Sequence, residues 1–417
     1  MKLWRLVVTP IKYIIASFFA LVFLIVACYL HFHRSATQKP RILWGPVPVG
    51  GTQYYSRACR ALGYKSDTLM YGRYVISSER DFDYYPETIF PRLSRLRPFQ
   101  ALRRYLCFLW ALPRYEIHFH NFDGGLLAGT PLEYLEIHLR HLARGRNVVY
   151  PYGGDTIIPR LCRSLLFKQA LLADYPIHGR LGSVNERRID HYTKHADLIY
   201  ASIDSVDYLQ RWDILLMQLS AIDVDSLAQI TTATGDLRKR FPDKKIIFHA
   251  PNHRHIKGTQ MLISACEDLK REGRSDFELV IYERQPNEVI LQAIKDSDII
   301  ADSFVMGVYG LFSIEGMALG KPVLCYLRPD LVELYSHYSW AKECPIVNTA
   351  PNQIKDKLRW LLDHPEERSR SGQKGMEFVE RHHSLTAMGA IYDQIIRRVW
   401  SGVEAEPKPI NPASIVS

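Results

Sequence analysis

The sequence predicts an α/β protein of two doubly wound, Rossmann-like domains, with one N-terminal transmembrane helix ahead of them. Three observations predict it. Residues 246–327 alternate apolar runs of strand length with amphipathic stretches, in the order strand, helix, strand, helix, strand, helix, strand. Residues 42–71 open in the same way, with Ile42-Leu43-Trp44, a glycine loop, a helix and a second short strand. Residues 13–30, YIIASFFALVFLIVACYL, are uncharged and almost wholly apolar.

The chain has 417 residues, 47 % hydrophobic and 23 % charged, which leaves room for two domains of ordinary size. Formal net charge is +9 and the pI is about 9.1, a balance that favours anionic partners: nucleotide diphosphates, phospholipid head groups or nucleic acid. No zinc-finger or aromatic RNA-binding motif occurs, so no nucleic-acid partner is expected. The seven cysteines are scattered singly with no CxxC pair, and read as reduced core residues, not as disulfides or a metal site. No Asn-x-Ser/Thr acceptor occurs, which argues against a secretory lumen.

Residues 1–12 form a basic segment with Lys2, Arg5 and Lys12, and 13–32 read as a transmembrane anchor. Eighteen apolar residues at 1.5 Å each make about 27 Å of helix, against a hydrocarbon thickness of ~30 Å. A signal peptide competes with this reading, and Ile25-Val26-Ala27-Cys28 has a loose lipoprotein-like cleavage pattern. Arg34, Lys39 and Arg41 follow the span, so flanking charge does not set its orientation. Residues 33–40 read as a polar linker.

The first domain is expected over 41–221. Gly50-Gly51-Thr52 starts a helix that Gly63 ends, and Asp67–Tyr71 is the next strand. This opening lacks GxGxxG, so nicotinamide binding is not expected. Residues 92–115 hold six arginines and no acid, interleaved with Leu, Phe, Trp and Tyr. They read either as a surface resting on anionic lipid or as a domain helix with its apolar side buried. Strands at 116–119 and 147–150 end in His120-Asn121-Phe122-Asp123-Gly124-Gly125 and in Pro151-Tyr152-Gly153-Gly154-Asp155. Ligands of open α/β sheets bind at such strand ends. His120 is a candidate base or sugar-hydroxyl partner, or simply a satisfied histidine. A helix and strand over 185–200 follow, and residues 222–245 are the crossover to the second domain, expected over 246–376.

In that domain the strand from Ile246 breaks into a basic loop, and Lys257-Gly258-Thr259 starts a helix. Glu283 follows one strand and Asp302 the next, both candidate cleft liners. Gly307, Tyr309 and Gly310 form a glycine-shaped loop opening into a helix over 311–319. Free N–H groups and the positive helix end suit a phosphate there. Glu315, one turn in, is placed to accept hydrogen bonds from ribose hydroxyls, or is a solvated acid. Residues 377–400 read as a closing helix, and 401–417, with three prolines, as a disordered tail.

HAPNHRHIKGT and VYGLFSIEGMALGKPVLCYL resemble the donor half of bacterial glycosyltransferases of family 4 (group 1), which have the GT-B fold of two Rossmann-like domains facing a cleft. The resemblance implies that Lys257 and Gly258 hold a donor diphosphate and that Glu315 meets the nucleotide ribose. A second family glutamate falls on Gly307. The family's arginine falls on Asn252, with His253 and Arg254 as substitutes. Gly50 and Gly51 are placed along the cleft. A His-Gly-Ser-Asp loop of the family falls on Tyr152-Gly153-Gly154-Asp155, where the aspartate matches and the histidine does not. Lys257, Glu315, Asp155 and His120 are the catalytic candidates. Asn252, Arg254, Gly258, Thr259, Glu283, Asp302, Gly307, Tyr309 and Gly310 are the donor-binding ones. Gly50, Gly51, Thr52, Asp123, Tyr152, Gly153 and Gly154 are the acceptor-side ones.

The implied reaction is sugar transfer, with retention and without metal or other cofactor, from a nucleotide-diphosphate sugar to a glycan or lipid-linked acceptor of the envelope. Nucleotide sugars are made in the cytosol, so the globular part is expected on the cytoplasmic face of a bacterial inner membrane. A non-catalytic nucleotide- or glycan-binding partner of an assembly complex and a secreted lipoprotein are the alternatives.

Overall fold

A computed structural model describes residues 2–35, 37–49, 51–73, 82–218, 220–228 and 236–402, with backbone alone for 2–9. Gly50, part of the 222–245 crossover and almost all of the expected tail lie outside the described residues. The first sheet holds β1 (Ile42–Trp44), β2 (Ser66–Thr68), β3 (Ile117–Asn121), β4 (Arg146–Tyr150), β5 (Leu198–Ser202) and β6 (Ile214–Leu216). All pair in parallel, in the order β2-β1-β3-β4-β5-β6. The second holds β7 (Lys245–His249), β8 (Phe277–Ile281), β9 (Ile299–Ala301), β10 (Val323–Cys325) and β11 (Val347–Asn348), also parallel, in the order β11-β10-β9-β7-β8. Its winding reverses between β7 and β9. That is the switch point where the loops after the strands diverge and leave a crevice.

The helices that place the site are α1 (Lys2–His33), α2 (Thr52–Ala61), α3 (Phe99–Ala111), α4 (Glu136–Leu142), α5 (Leu165–Asp174), α6 (His178–His195), α7 (Arg254–Lys257), α8 (Thr259–Arg271), α9 (Asn287–Asp296), α10 (Leu311–Ala318), α11 (Pro329–Tyr338), α12 (Pro365–His383) and α13 (Leu385–Ser401). Helices on both faces bury the central strands completely, as the continuous apolar runs require. Trp44 stacks on Phe119 at 4.0 Å between centroids and donates its indole N–H to Ser66.

Helix α1 is not held off by a linker. Ala16, Phe19, Phe23, Ala27 and Leu30 are buried against α3 and α4. Phe19 stacks on Tyr105 at 4.7 Å, and Phe23 meets Phe108 edge-on at 4.8 Å. Just past the helix, Arg34 donates to the carbonyls of Leu112 (2.7 Å) and Ala143 (2.8 Å). The arginine-rich stretch thus contains a domain helix, α3, whose apolar side is buried.

The expected closing helix is two helices that meet at Ser384. The Ser384 side chain accepts from the Ala387 N–H and so starts α13. Helix α12 covers α10, while α13 crosses back onto α2 of the first domain. Four further links tie the lobes. Arg328 binds Asp207 bidentately at 2.7 Å, and Tyr335 donates to the Ile203 carbonyl at 2.6 Å. Gln218 donates to the Tyr309 carbonyl at 2.9 Å, and the Met217 N–H donates to Ser339 at 3.1 Å.

Candidate active site

The switch point is built from β7 and β9. His249, the last residue of β7, is fully buried, with Nδ1 2.7 Å from the Ala301 carbonyl and Nε2 2.9 Å from the Thr259 hydroxyl. A carbonyl can only accept, so Nδ1 carries the proton and Nε2 takes the Thr259 O–H. Burial lowers the His249 pKa to about 4, which keeps the ring neutral. His249 therefore pins the start of α8 to the end of β9. Between α7 and α8 the chain turns at Gly258, whose φ is +70° and whose missing Cβ would lie 3.1 Å from Phe304.

That turn presents Lys257. Its ammonium pairs with Asp302, which is fully buried at the end of β9, and the other Asp302 oxygen accepts from the Ser313 hydroxyl at 2.5 Å. Burial raises the Asp302 pKa, but the Lys257 charge and the two hydrogen bonds outweigh it and hold the carboxyl below its usual range. Ser313 sits in the first turn of α10. One carboxylate thus joins the lysine loop to the helix start. Gly310 precedes α10 in extended conformation, with nothing within 4 Å of where a Cβ would stand. The first-turn N–H groups of α10 have no intrahelical partner. Lys257, Gly310 and Leu311 face, across a crevice of about 220 Å³, Val49, Tyr152 and Ser202 of the first domain.

Glu315, one turn further along α10, is almost fully buried, and Asn287 at the start of α9 donates to it at 3.3 Å. Burial, only partly offset by that bond, raises its pKa to about 7. Glu315 is not among the residues lining the crevice; it lies beside Asn287. Thr259 is buried beneath it all, on His249.

At the outer lip, Arg254 is paired with Glu283 at 2.6 Å, both half-exposed, so neither is free to meet a phosphate as the side chains stand. Asn252 is exposed. His253 bonds Tyr175, and Asp174 takes both His255 Nδ1 (2.7 Å) and the Ile256 N–H (2.9 Å). The end of α5 in the first domain therefore clasps the 253–256 turn of the second. The sequence reading did not include Asp174 or Tyr175. One signal was there: an acid as the last residue of a helix opposes the helix dipole, and needs a partner elsewhere.

Three candidates stand differently from the expectation. Gly307 has φ +85°, and a Cβ there would come within 2.9 Å of the Arg328 Cβ. Where the resemblance places a glutamate, this chain offers room for the Arg328 stem instead. Tyr309 is buried, its hydroxyl held by the Trp340 indole N–H (3.1 Å) and His383 Nε2 (3.0 Å). It lines the crevice with its hydroxyl already held by these two side chains. His120 is 2 % exposed, with its Nδ1 2.9 Å from the Asn121 carbonyl and its ring against Tyr192 and His118. Burial lowers its pKa to about 4. The strand is central and covered on both faces, so a side chain at its end still points into a helix layer.

The two loop tips of the first domain are stitched together. Asp155 accepts from the Phe122 (3.0 Å), Gly153 (3.0 Å) and Tyr152 (3.1 Å) N–H groups, and Tyr152 donates to Asp123 at 2.7 Å. Arg188 holds the other Asp123 oxygen at 3.0 Å. Asp155 is buried, and burial followed by the Asp123 charge raises its pKa to about 7. It shapes the loop and does not face the crevice. Gly154 abuts His178, and Gly51 and Thr52 are buried at the start of α2, just past the crevice residue Val49. No group of three or more His, Cys, Asp or Glu side chains among the described residues is placed to hold a metal ion.

No curated protein matches the sequence. Residues 311–390, from the start of α10 into α13, match a family model described as glycosyl transferase-like. The chain is similar to sucrose-phosphate synthase from Thermosynechococcus elongatus, with TM-score 0.56 and 12 % identity over 88 % of this chain and 100 % of that one. It is similar to TarM of S. aureus, solved with Fondaparinux, alpha-GlcNAc-glycerol and UDP, with TM-score 0.55 and 9 % identity over 85 % and 99 %. It is also similar to an alpha,alpha-trehalose-phosphate synthase (UDP-forming) from Burkholderia vietnamiensis, with TM-score 0.53 and 11 % identity over 85 % and 99 %. Two parallel doubly wound sheets, joined by a returning C-terminal helix and facing each other across a crevice, make this a GT-B fold.

Proposed function

We propose that the protein is a membrane-bound glycosyltransferase that moves a sugar from a nucleotide-diphosphate donor to an envelope polysaccharide or glycolipid, with retention and without a metal, on the cytoplasmic face of a bacterial inner membrane. The observation that carries this is the junction of Lys257, Asp302 and Ser313 beside the open corner at Gly310. It sets an ammonium group next to unpartnered helix-start amides, at a switch point that faces the other lobe. A diphosphate seated there would be stabilised as negative charge grows on the leaving group, which is electrostatic catalysis. The glycosyl transferase-like match over 311–390 supports the reading, as do the UDP-forming trehalose-phosphate synthase and TarM, solved with UDP. Retention is supported by another solved neighbour, a trehalose-6-phosphate synthase described as carrying out glycosyltransfer with retention.

A crevice of about 220 Å³ is smaller than the ~300–1,000 Å³ of ordinary ligand pockets, so the donor enters with the lobes parted. The test is a thermal-shift screen against UDP, GDP, ADP and CMP, followed by a radiolabelled donor panel with membrane extract. Stabilisation by one nucleotide and label transfer are expected. No shift with any nucleotide would remove the reading. A second reading, a non-catalytic nucleotide- or glycan-binding partner, is favoured by Gly307, which supplies no side chain to a donor sugar. Tight nucleotide binding with neither transfer nor hydrolysis would select it.

A further inference from the structure

Helix α1 has two apolar faces, and the domain covers only one. On the other, Ile14, Phe18, Leu21, Ile25, Tyr29 and Phe32 recur every three or four residues and are each 59–76 % exposed. The stripe spans nineteen residues, about 27 Å of helix from first to last. An exposed apolar strip of this length is unusual on a protein surrounded by water.

The packing speaks against a helix that crosses the bilayer. Phe19 meets Tyr105 and Phe23 meets Phe108, so α3 runs beside α1 in the same direction. Arg34 then holds the carbonyls of Leu112 and Ala143, which are irregular chain. If residues 13–30 filled the hydrocarbon, α3 with Arg103 and Arg104 would be drawn to the same depth. So would the loops at 112–116 and 143–145, including the exposed Arg114. Lipid does not accept exposed irregular backbone or guanidinium groups at that depth.

The charge pattern suits a helix lying flat. Because α3 runs in the same direction as α1, the segment leading into it lies toward the amino end of α1. That segment exposes Arg92, Arg95 and Arg97 with Leu93 and Leu96 between them. Basic groups beside an apolar helix face are the pattern that binds an anionic membrane surface.

We propose that α1 lies in the plane of the membrane, with the stripe from Ile14 to Phe32 inserted into one leaflet of an anionic phospholipid bilayer and the first domain resting on it. This deepens the membrane-bound part of the proposed function and is independent of sugar transfer. The test uses the full chain with epitope tags at both ends, expressed in bacteria. Protease added to intact spheroplasts should spare both tags, and lysis should expose both together. A tag cut before lysis while the other survives would mean a crossing helix, and overturns the proposal.

Purified full chain should also sediment with phosphatidylglycerol-containing vesicles, and at least about tenfold less with pure phosphatidylcholine ones. Phe18→Glu with Ile25→Glu, both at exposed positions, should abolish sedimentation while leaving the nucleotide thermal shift unchanged. Arg92→Gln, Arg95→Gln and Arg97→Gln together should remove the preference for anionic lipid. Failure to bind either vesicle, or a dimer in water that the Phe18/Ile25 variant dissolves, overturns the proposal. Vesicle binding without any nucleotide response would leave it standing and remove the enzymatic reading.

Discussion

Lys257 and Asp302 form an ion pair in which the aspartate is wholly buried and the lysine is 17 % exposed. The lysine can thus lean toward a ligand, while the aspartate cannot leave. Replacing Lys257 by methionine removes the ammonium and leaves an unpaired buried carboxylate. Two effects are expected together. Donor-dependent transfer should fall by about 10²–10³-fold, the size of losing one preorganised charge partner. The fold should lose about 3 kcal/mol at neutral pH.

The stability part has a defined pH sense. Asp302 has a folded-state pKa below the unfolded value, so its contribution is present above the unfolded pKa and is lost as pH falls through the folded one. The stability gap between wild type and Lys257→Met should therefore narrow in acid. Urea melts at several pH values read it directly. A gap that widened in acid would remove the pairing from the account.

Glu315 behaves in the opposite sense. Its pKa is raised to about 7 by burial, so the folded state prefers the protonated acid that the unfolded chain has lost above ~4.3. The destabilisation grows as pH rises from there to about 7 and is constant beyond. Glu315→Gln mimics the protonated form and should be more stable than wild type at pH 8 by on the order of 3 kcal/mol, and equal to it near pH 4. If the carboxylate also meets ribose, the same variant binds nucleotide about tenfold more weakly, the size of one charge-assisted hydrogen bond. Thermal melts and nucleotide titrations of one protein sample separate the two effects. Unchanged nucleotide affinity would leave Glu315 as a buried acid only.

Gly307→Glu tests whether the family residue can be put back. The backbone there is left-handed, and the new Cβ would press on Arg328 at 2.9 Å. The variant should lose about 2 kcal/mol or more and gain no transfer activity. A stable variant with faster transfer would show that the Arg328 stem moves aside easily.

Much of the second domain was legible because its signals are local. Gly258 marks a helix start there, as Gly63 marks a helix end in the first domain, and both have positive φ. The strands of 246–327 are short apolar runs bounded by polar turns, and each is a strand in the sheet. What stayed hidden is held by residues far apart in sequence. Asp174 with Ile256 and Asp207 with Arg328 pair across the two lobes, with no period or motif to announce them. Of the two readings of His120, the satisfied histidine is the one that stands, because β3 is covered on both faces. Helix α1 is apolar on both sides, so hydropathy does not tell the packed stripe at Ala16, Phe19 and Phe23 from the open one at Ile14, Phe18 and Leu21. Only the partner helices do.

The Arg328–Asp207 pair offers the last test, because it joins the lobes from inside. Both side chains are nearly buried, at 8 % and 1 % exposure, and the contact is bidentate. Removing one partner should cost much more than removing both, since a lone buried charge keeps its desolvation penalty. Asp207→Leu alone should destabilise by about 3–5 kcal/mol, softened by the Asp330 carboxylate that also holds Arg328. Arg328→Met alone should cost a similar amount. The double variant, with apolar groups of similar volume on both sides, should recover at least about 2 kcal/mol of the summed loss. A double-mutant cycle by denaturant melts measures that coupling. Additive losses would mean that the two lobes are held together by α13 on α2 and the Tyr309 cluster, with the ion pair contributing little.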